Sequence, residues 1–230
     1  MNLSNRSYQK ELLDGSDIPF ADIRQNMREL NVINTYLGGH AITISGCKSL
    51  LKNKQQVSVC EIGCGGGDNL LAIYQWCQRK GISATLTGID YNKECIAVAA
   101  EQLPPEATLI CSDYKAVNFE GQLPDIIFSS LFCHHFTDPE LVFMLQWMQQ
   151  HSKTGFFIND LHRHFLAYYS IKMLTGLFSK SYLVRHDAPL SVQRGFTKTD
   201  WQRLLQAAAL PHYRIQWKWA FRWLITSRHQ

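Results

Sequence analysis

The chain has 230 residues, 46% of them hydrophobic and 18% charged, and carries a net charge of +4. That composition supports one sizeable core and excludes a disordered chain. The charge is mild and no run of lysine and arginine marks a nucleic-acid face, so nucleic acid is not an expected partner. No apolar stretch is long enough to span a membrane. The polar start, residues 1–13, lacks the apolar segment of a secretory signal. Seven scattered cysteines with no Cys-x-x-Cys argue against a disulfide framework and for a reducing, cytoplasmic setting.

In chain order, Phe20, Ile23, Met27, Leu30, Ile33 and Leu37 recur at helical spacing, with Pro19 suited to the first turn and Gly38-Gly39 to the stop. A short helix over 41–51 follows. Residues 1–54 are therefore expected to form a helical cap added to the core. A strand over 57–62 runs into the glycine loop 63–67, and a helix over 68–80 is closed by Gly81. Strands are then expected over 84–90, 109–113, 125–130 and 155–160, with helices over 93–102 and 138–150. Alternation of this kind implies parallel strands joined by right-handed crossovers. The segment 161–196 breaks the rhythm. A helix over 199–210, with Thr199 as its cap, then precedes two strands, 213–219 and 222–227, that meet at a tight turn. The expected fold is α/β: a doubly wound, Rossmann-like sheet of seven strands, mostly parallel with an antiparallel C-terminal strand.

The loop from Glu61 through Gly63, Gly65 and Gly67 lies between the first core strand and its helix, where a doubly wound sheet binds its ligand. Asp90 ends the next strand, from which a carboxylate reaches both hydroxyls of a ribose. A nicotinamide fingerprint would place its third glycine where Asp68 stands, facing a pyrophosphate. Glu61 and Asp68 suit a cationic ligand better.

The Glu-x-Gly-x-Gly-x-Gly spacing resembles the glycine loop of class I methyltransferases, which use S-adenosylmethionine (SAM). The resemblance covers roughly residues 57–228 and makes 55–230 the methyltransferase domain. It implies Asp90 and Tyr91 at the ribose, Asp113 and Tyr114 at the adenine, and Ser130 near the reactive methyl group. It implies a methyl transfer to a small molecule. Amino-directed nucleic-acid enzymes of this class carry a Pro-Pro after the fourth strand; here the segment is Ser129-Ser130-Leu131-Phe132. Catechol-type, metal-dependent enzymes have an acid where Ser130 stands. Asn159-Asp160 alone supplies too few oxygens for magnesium, so no metal is expected.

Two histidine groups follow the fourth and fifth strands, at 134–135 and at 162 and 164. A phenol is a poor nucleophile at neutral pH until a base takes its proton, so His135 and His162 are the candidate bases. Phe165, Tyr168, Tyr169, Ile171, Met173, Leu174, Leu177 and Phe178 make 161–196 a candidate substrate-binding insertion. The stretches 159–164, 184–187 and 191–194 resemble bacterial methyltransferases of polyketide and phenolic-lipid pathways. The expected activity is methyl transfer to a largely apolar acceptor through a phenolic or enolic oxygen. A catalytically weak SAM-binding partner protein and a nicotinamide oxidoreductase are the alternatives.

Overall fold

A computed structural model describes residues 3–15, 17–52 and 54–229. The central sheet contains β1 (Gln56–Ile62), β2 (Ser83–Asp90), β3 (Thr108–Cys111), β4 (Ile126–Ser130), β5 (Gly155–Leu161), β6 (Tyr213–Lys218) and β7 (Arg222–Arg228). Their order is β3-β2-β1-β4-β5-β7-β6. β1 to β5 pair in parallel, and β7 inserts antiparallel between β5 and β6. The expected seven-stranded Rossmann-like sheet is therefore what the chain forms. β4 and most of β5 are buried along their length, as strands covered by helices on both faces must be. The strand order reverses between β1 and β4, and the crevice outside their carboxyl ends is the natural ligand position.

The helices are α1 (Phe20–Tyr36), α2 (Gly39–Leu51), α3 (Asp68–Arg79), α4 (Lys93–Gln102), α5 (Asp138–His151), α6 (Phe165–Phe178), α7 (Tyr182–Arg194) and α8 (Lys198–Ala207). None is long and apolar enough to cross a membrane, among the described residues. α2 lies directly on the sheet: Ile42, Cys47, Leu50 and Leu51 share a core with Val57, Phe128 and Phe157. Gly46 permits that approach, because a Cβ there would come within 2.5 Å of the Phe157 ring. Asn159 of β5 donates to Gly39 O and Thr43 Oγ1, both at 3.1 Å, which pins the same helix.

Three local expectations change. β3 stops at Cys111, and Asp113 instead caps a 3-10 turn by accepting the Lys115 N–H at 3.0 Å. The cap of α8 is Thr197, not Thr199. Its hydroxyl accepts the Asp200 N–H while the Asp200 carboxylate accepts the Thr197 N–H, a reciprocal pair that starts the helix earlier. The beginning of the chain is helical only in part. Ahead of α1 the backbone is an irregular strap with one 3-10 turn, Leu12–Asp14.

The strap is stitched to α7. Ser7 N–H donates to Gln193 O at 3.1 Å, and Arg6 Nε donates to Arg194 O at 3.0 Å. The Asp187 carboxylate accepts the N–H groups of Leu12 and Leu13 at 2.8 and 3.0 Å. The insertion after β5 thus forms two helices, and the second of them anchors the strap across the carboxyl edge of the sheet.

Candidate active site

A cavity of about 520 Å³ opens at the ends of β1, β2 and β4. Glu61, Gly63, Gly65, Asp90, Tyr91 and Ser130 line it, together with Asp68, Asn34 and, from the strap, Tyr8 and Asp14. Gly63 has φ 66°, and a Cβ would meet the Phe132 ring at 2.2 Å, so only glycine lets the loop pass beneath that ring. The Asp90 carboxylate accepts the N–H groups of Gly65 and Asn92, both at 2.9 Å, and so fixes the loop against β2. Burial raises the Asp90 pKa against those two hydrogen bonds.

Glu61 is 1% exposed, and its Oε2 has no hydrogen-bond partner. Burial, and after it Asp68 and Asp90, push its pKa well above the carboxylate range. Ser130 Oγ is likewise buried and unpartnered. An acidic cavity with orphaned polar atoms suits a ligand that brings positive charge and hydroxyl groups.

Not every expected residue lies on this cavity. Gly67 sits at the N-cap of α3, outside the lining. Asp113 caps the turn after β3, and Tyr114 is buried edge-on against Trp147 with ring centroids 5.1 Å apart. Neither lines the cavity.

A second cavity of about 360 Å³ adjoins the first, and Leu13, Leu30, Leu131 and His135 are common to both linings. Its other walls come mainly from α1, α6, α7 and the turn between β6 and β7, and they are largely apolar. Polar groups gather at one end. His134 Nδ1 lies 2.8 Å from Asp160 Oδ1, and its Nε2 lies 3.4 Å from Glu11 Oε1. His135 Nδ1 lies 3.0 Å from Asp14 Oδ1. Arg194 Nε approaches Glu11 at 3.8 Å, and Ser191 Oγ donates to Glu11 at 2.8 Å.

Burial acts to neutralise His134, but Asp160 and then Glu11 outweigh it, and the pKa stands at about 9. Burial likewise opposes charge on Glu11 and Asp160, yet His134 holds both below the usual carboxylate range. The result is a buried imidazolium between two carboxylates.

His162 lines neither cavity. Its Nδ1 accepts the Trp217 indole N–H at 3.2 Å, and its ring packs against Trp223 and His164. Burial, with His164 and Arg163 beside it, lowers its pKa to about 4. The residues that sequence reasoning did not single out are Glu11, Asp14, Asn34 and Arg222. No local pattern marks them, because each reaches the site from a distant part of the chain.

Residues 59–155 match the family described as a methyltransferase domain. The plantazolicin methyltransferase BpumL, solved in complex with SAH, is similar at a TM-score of 0.68 and 21% identity over 92% of this chain and 89% of that one. The fold is that of the class I methyltransferases. Human N-acetylserotonin methyltransferase in complex with SAM has a TM-score of 0.65 and 15% identity, over 91% of this chain and 56% of that one. Magnesium protoporphyrin IX methyltransferase from Synechocystis with bound SAM has a TM-score of 0.54 and 11% identity, over 94% and 86%. No curated protein sequence matches the chain.

The buried ion cluster has a measurable consequence. Because the His134 pKa is raised in the folded state, its contribution is complete below the unfolded value near 6.5 and is lost as pH rises through about 9. Between those limits wild-type stability should fall with pH by up to about 1.4 kcal/mol per unit relative to His134→Gln. Urea titrations of both proteins from pH 6 to 9.5 check this; parallel curves would show that His134 is neutral in the native state.

Proposed function

We propose that the protein transfers the methyl group of SAM to a phenolic or enolic oxygen of a small, largely apolar acceptor. The observation that carries the reading is the pair of adjoining cavities, one acidic and glycine-lined, the other apolar, with His135 common to both. Asp90 would hold the ribose hydroxyls, with Tyr91 beside it, and Glu61 the cationic end of the cofactor. Asp113 and Tyr114 stay at the adenine end only if the turn after β3 closes on the ligand. SAM supplies an electrophilic methyl group that needs no further activation. SAM- and SAH-bound relatives of the same fold support this choice of cofactor.

The protein's own work is alignment and deprotonation. Holding reactants in line can supply roughly 7–11 kcal/mol of a barrier. With Nδ1–H of His135 donated to Asp14, Nε2 is the basic nitrogen, and Glu11 Oε2 is 3.7 Å from it, beyond good hydrogen-bond range. His135 is therefore the base this reading favours over His162. The strap, which lends Leu13 to both linings, limits water at the junction. The resemblance to polyketide and phenolic-lipid methyltransferases agrees with an apolar acceptor. Six of seven cysteines are buried free thiols, in keeping with a reducing, cytoplasmic setting.

No metal takes part in this reading. Glu11, His134 and His135 do bring donor atoms within 4.8 Å of one another. Two cations already serve that carboxylate, the His134 imidazolium and the Arg194 guanidinium. A divalent ion would have to displace both. Turnover should accordingly be unchanged by EDTA, whereas loss of activity restored by zinc or magnesium would overturn the metal-free mechanism.

Asp90→Ala should weaken SAH binding by about 1.5–3 kcal/mol, the value of hydrogen bonds to a charged group. Calorimetry on the folded variant is the check, and unchanged affinity would remove Asp90 from the cofactor site.

His135→Ala should lower methyl transfer to an ordinary phenol roughly 10²–10⁴-fold with SAH affinity nearly constant. The loss should shrink for nitrophenols, which ionise without help. An equal loss for acidic and ordinary phenols would make His135 a positioning residue rather than the base.

A further inference from the structure

Among the described residues four arginines are almost wholly buried, and three of them donate to two or more acceptors. Arg6 is held by Asp138, Phe136 O and Arg194 O; Arg163 by Asp200, Gly195 O and Leu3 O; Arg194 by Gln9 O and His134 O beside Glu11. Arg222 differs. It opens β7 opposite Leu161 of β5, at the sheet edge where both cavities lie, and is 3% exposed. Its Nη2 donates to Asn34 Oδ1 at 2.9 Å, and its Nη1 has no partner. Asp160 and Asp68 act on it only through space, with no hydrogen bond to either. Burial drives its pKa down to about 10 against those two carboxylates.

A guanidinium buried with one neutral hydrogen-bond partner and an empty donor carries a desolvation cost that Asp160 and Asp68, acting through space, offset only in part. The chain meets that cost elsewhere by supplying a carboxylate or several carbonyls. Here the side chain stands in the wall of the apolar cavity, beside Trp219, Ala220 and Phe221. Arginine's planar guanidinium is well matched to a carboxylate, and a carboxylate attached to an apolar ring suits a largely apolar cavity.

We propose that Arg222 forms a carboxylate-binding subsite in the wall of the apolar cavity, so that the preferred acceptors are acidic phenols of the salicylate type. This rests on the apolar cavity being the acceptor site. The carboxylate has a second source, the methionine end of the cofactor, because Asn34, the partner of Arg222, lines the neighbouring cavity. The chemistry at Nη1 is the same in either case.

The test is a set of calorimetric titrations on the full chain as wild type, Arg222→Lys and Arg222→Met. The probes are salicylate and phenol in the presence of SAH, and SAH against 5′-methylthioadenosine, which lacks the amino-acid end. Wild type should bind salicylate at least about tenfold more tightly than phenol, a preference worth about 1.4 kcal/mol. Arg222→Met should abolish the preference and Arg222→Lys should keep part of it. If instead the preference for SAH over methylthioadenosine collapses in Arg222→Met while the salicylate preference is unchanged, the carboxylate is the cofactor's and the acidic-acceptor proposal is overturned. If both ratios are unchanged in the folded variants, the proposal is wrong. Arg222→Lys retains the charge and serves if Arg222→Met does not fold. Failure of every phenol to accept a methyl group, with SAH bound normally, would count against the acceptor reading and leave these binding ratios readable.

Discussion

The arrangement of the active edge depends on one buried cation. His134 sits between Asp160, at the end of β5, and Glu11, in the strap, and its charge makes both carboxylates tolerable inside the protein. Removing one member of such a cluster leaves an uncompensated buried charge, which typically costs about 3–5 kcal/mol. The geometric consequence matters as much as the energy. The pairing joins the turn after β4, the end of β5 and the beginning of the chain at one point. His135, the next residue, is thereby carried to the boundary between the cavities.

Around that point the polar groups are segregated. The cavity at the glycine loop holds Glu61, Asp68 and Asp90, while the adjoining cavity is largely apolar, its polar lining coming from the cluster, Asn26, Ser170, Asp187 and Arg222. Charged groups act most strongly where water is excluded, so a few side chains dominate the electrostatics of both cavities. The strap contributes the carboxylates of Glu11 and Asp14, and Tyr8 and Leu13 as further walls. Its attachment to α7 through Asp187, Ser191 and Arg194 explains why the insertion after β5 is built as two helices: the second is the anchor for the first residues of the chain.

The alternation of strand and helix, the glycine loop and the acid ending β2 were legible because each is encoded over a few neighbouring residues. Periodicity of 2 or 3.6 and the steric freedom of glycine are local properties. Boundaries were less secure for the same reason. Thr199 was the expected cap of α8, but the reciprocal bond with Asp200 makes Thr197 the cap. The two histidine groups were equally plausible on paper. His162 turned toward Trp217 and Trp223 on the β6–β7 hairpin, and His135 turned toward the cavities.

The sequence by itself determined the doubly wound sheet, its antiparallel closing strand and the position of the glycine-lined cavity. These follow from patterns repeated within each element and from the handedness of parallel crossovers. Tertiary structure alone decided that Glu11 meets Ser191 across 180 residues and that Asn34 meets Arg222 across 188. It also decided that α2 belongs to the core and that Nη1 of Arg222 was left without a hydrogen-bond partner. Contacts of that span arise only when packing brings distant segments to the same edge, and no local periodicity records where a side chain on one segment will find its partner on another.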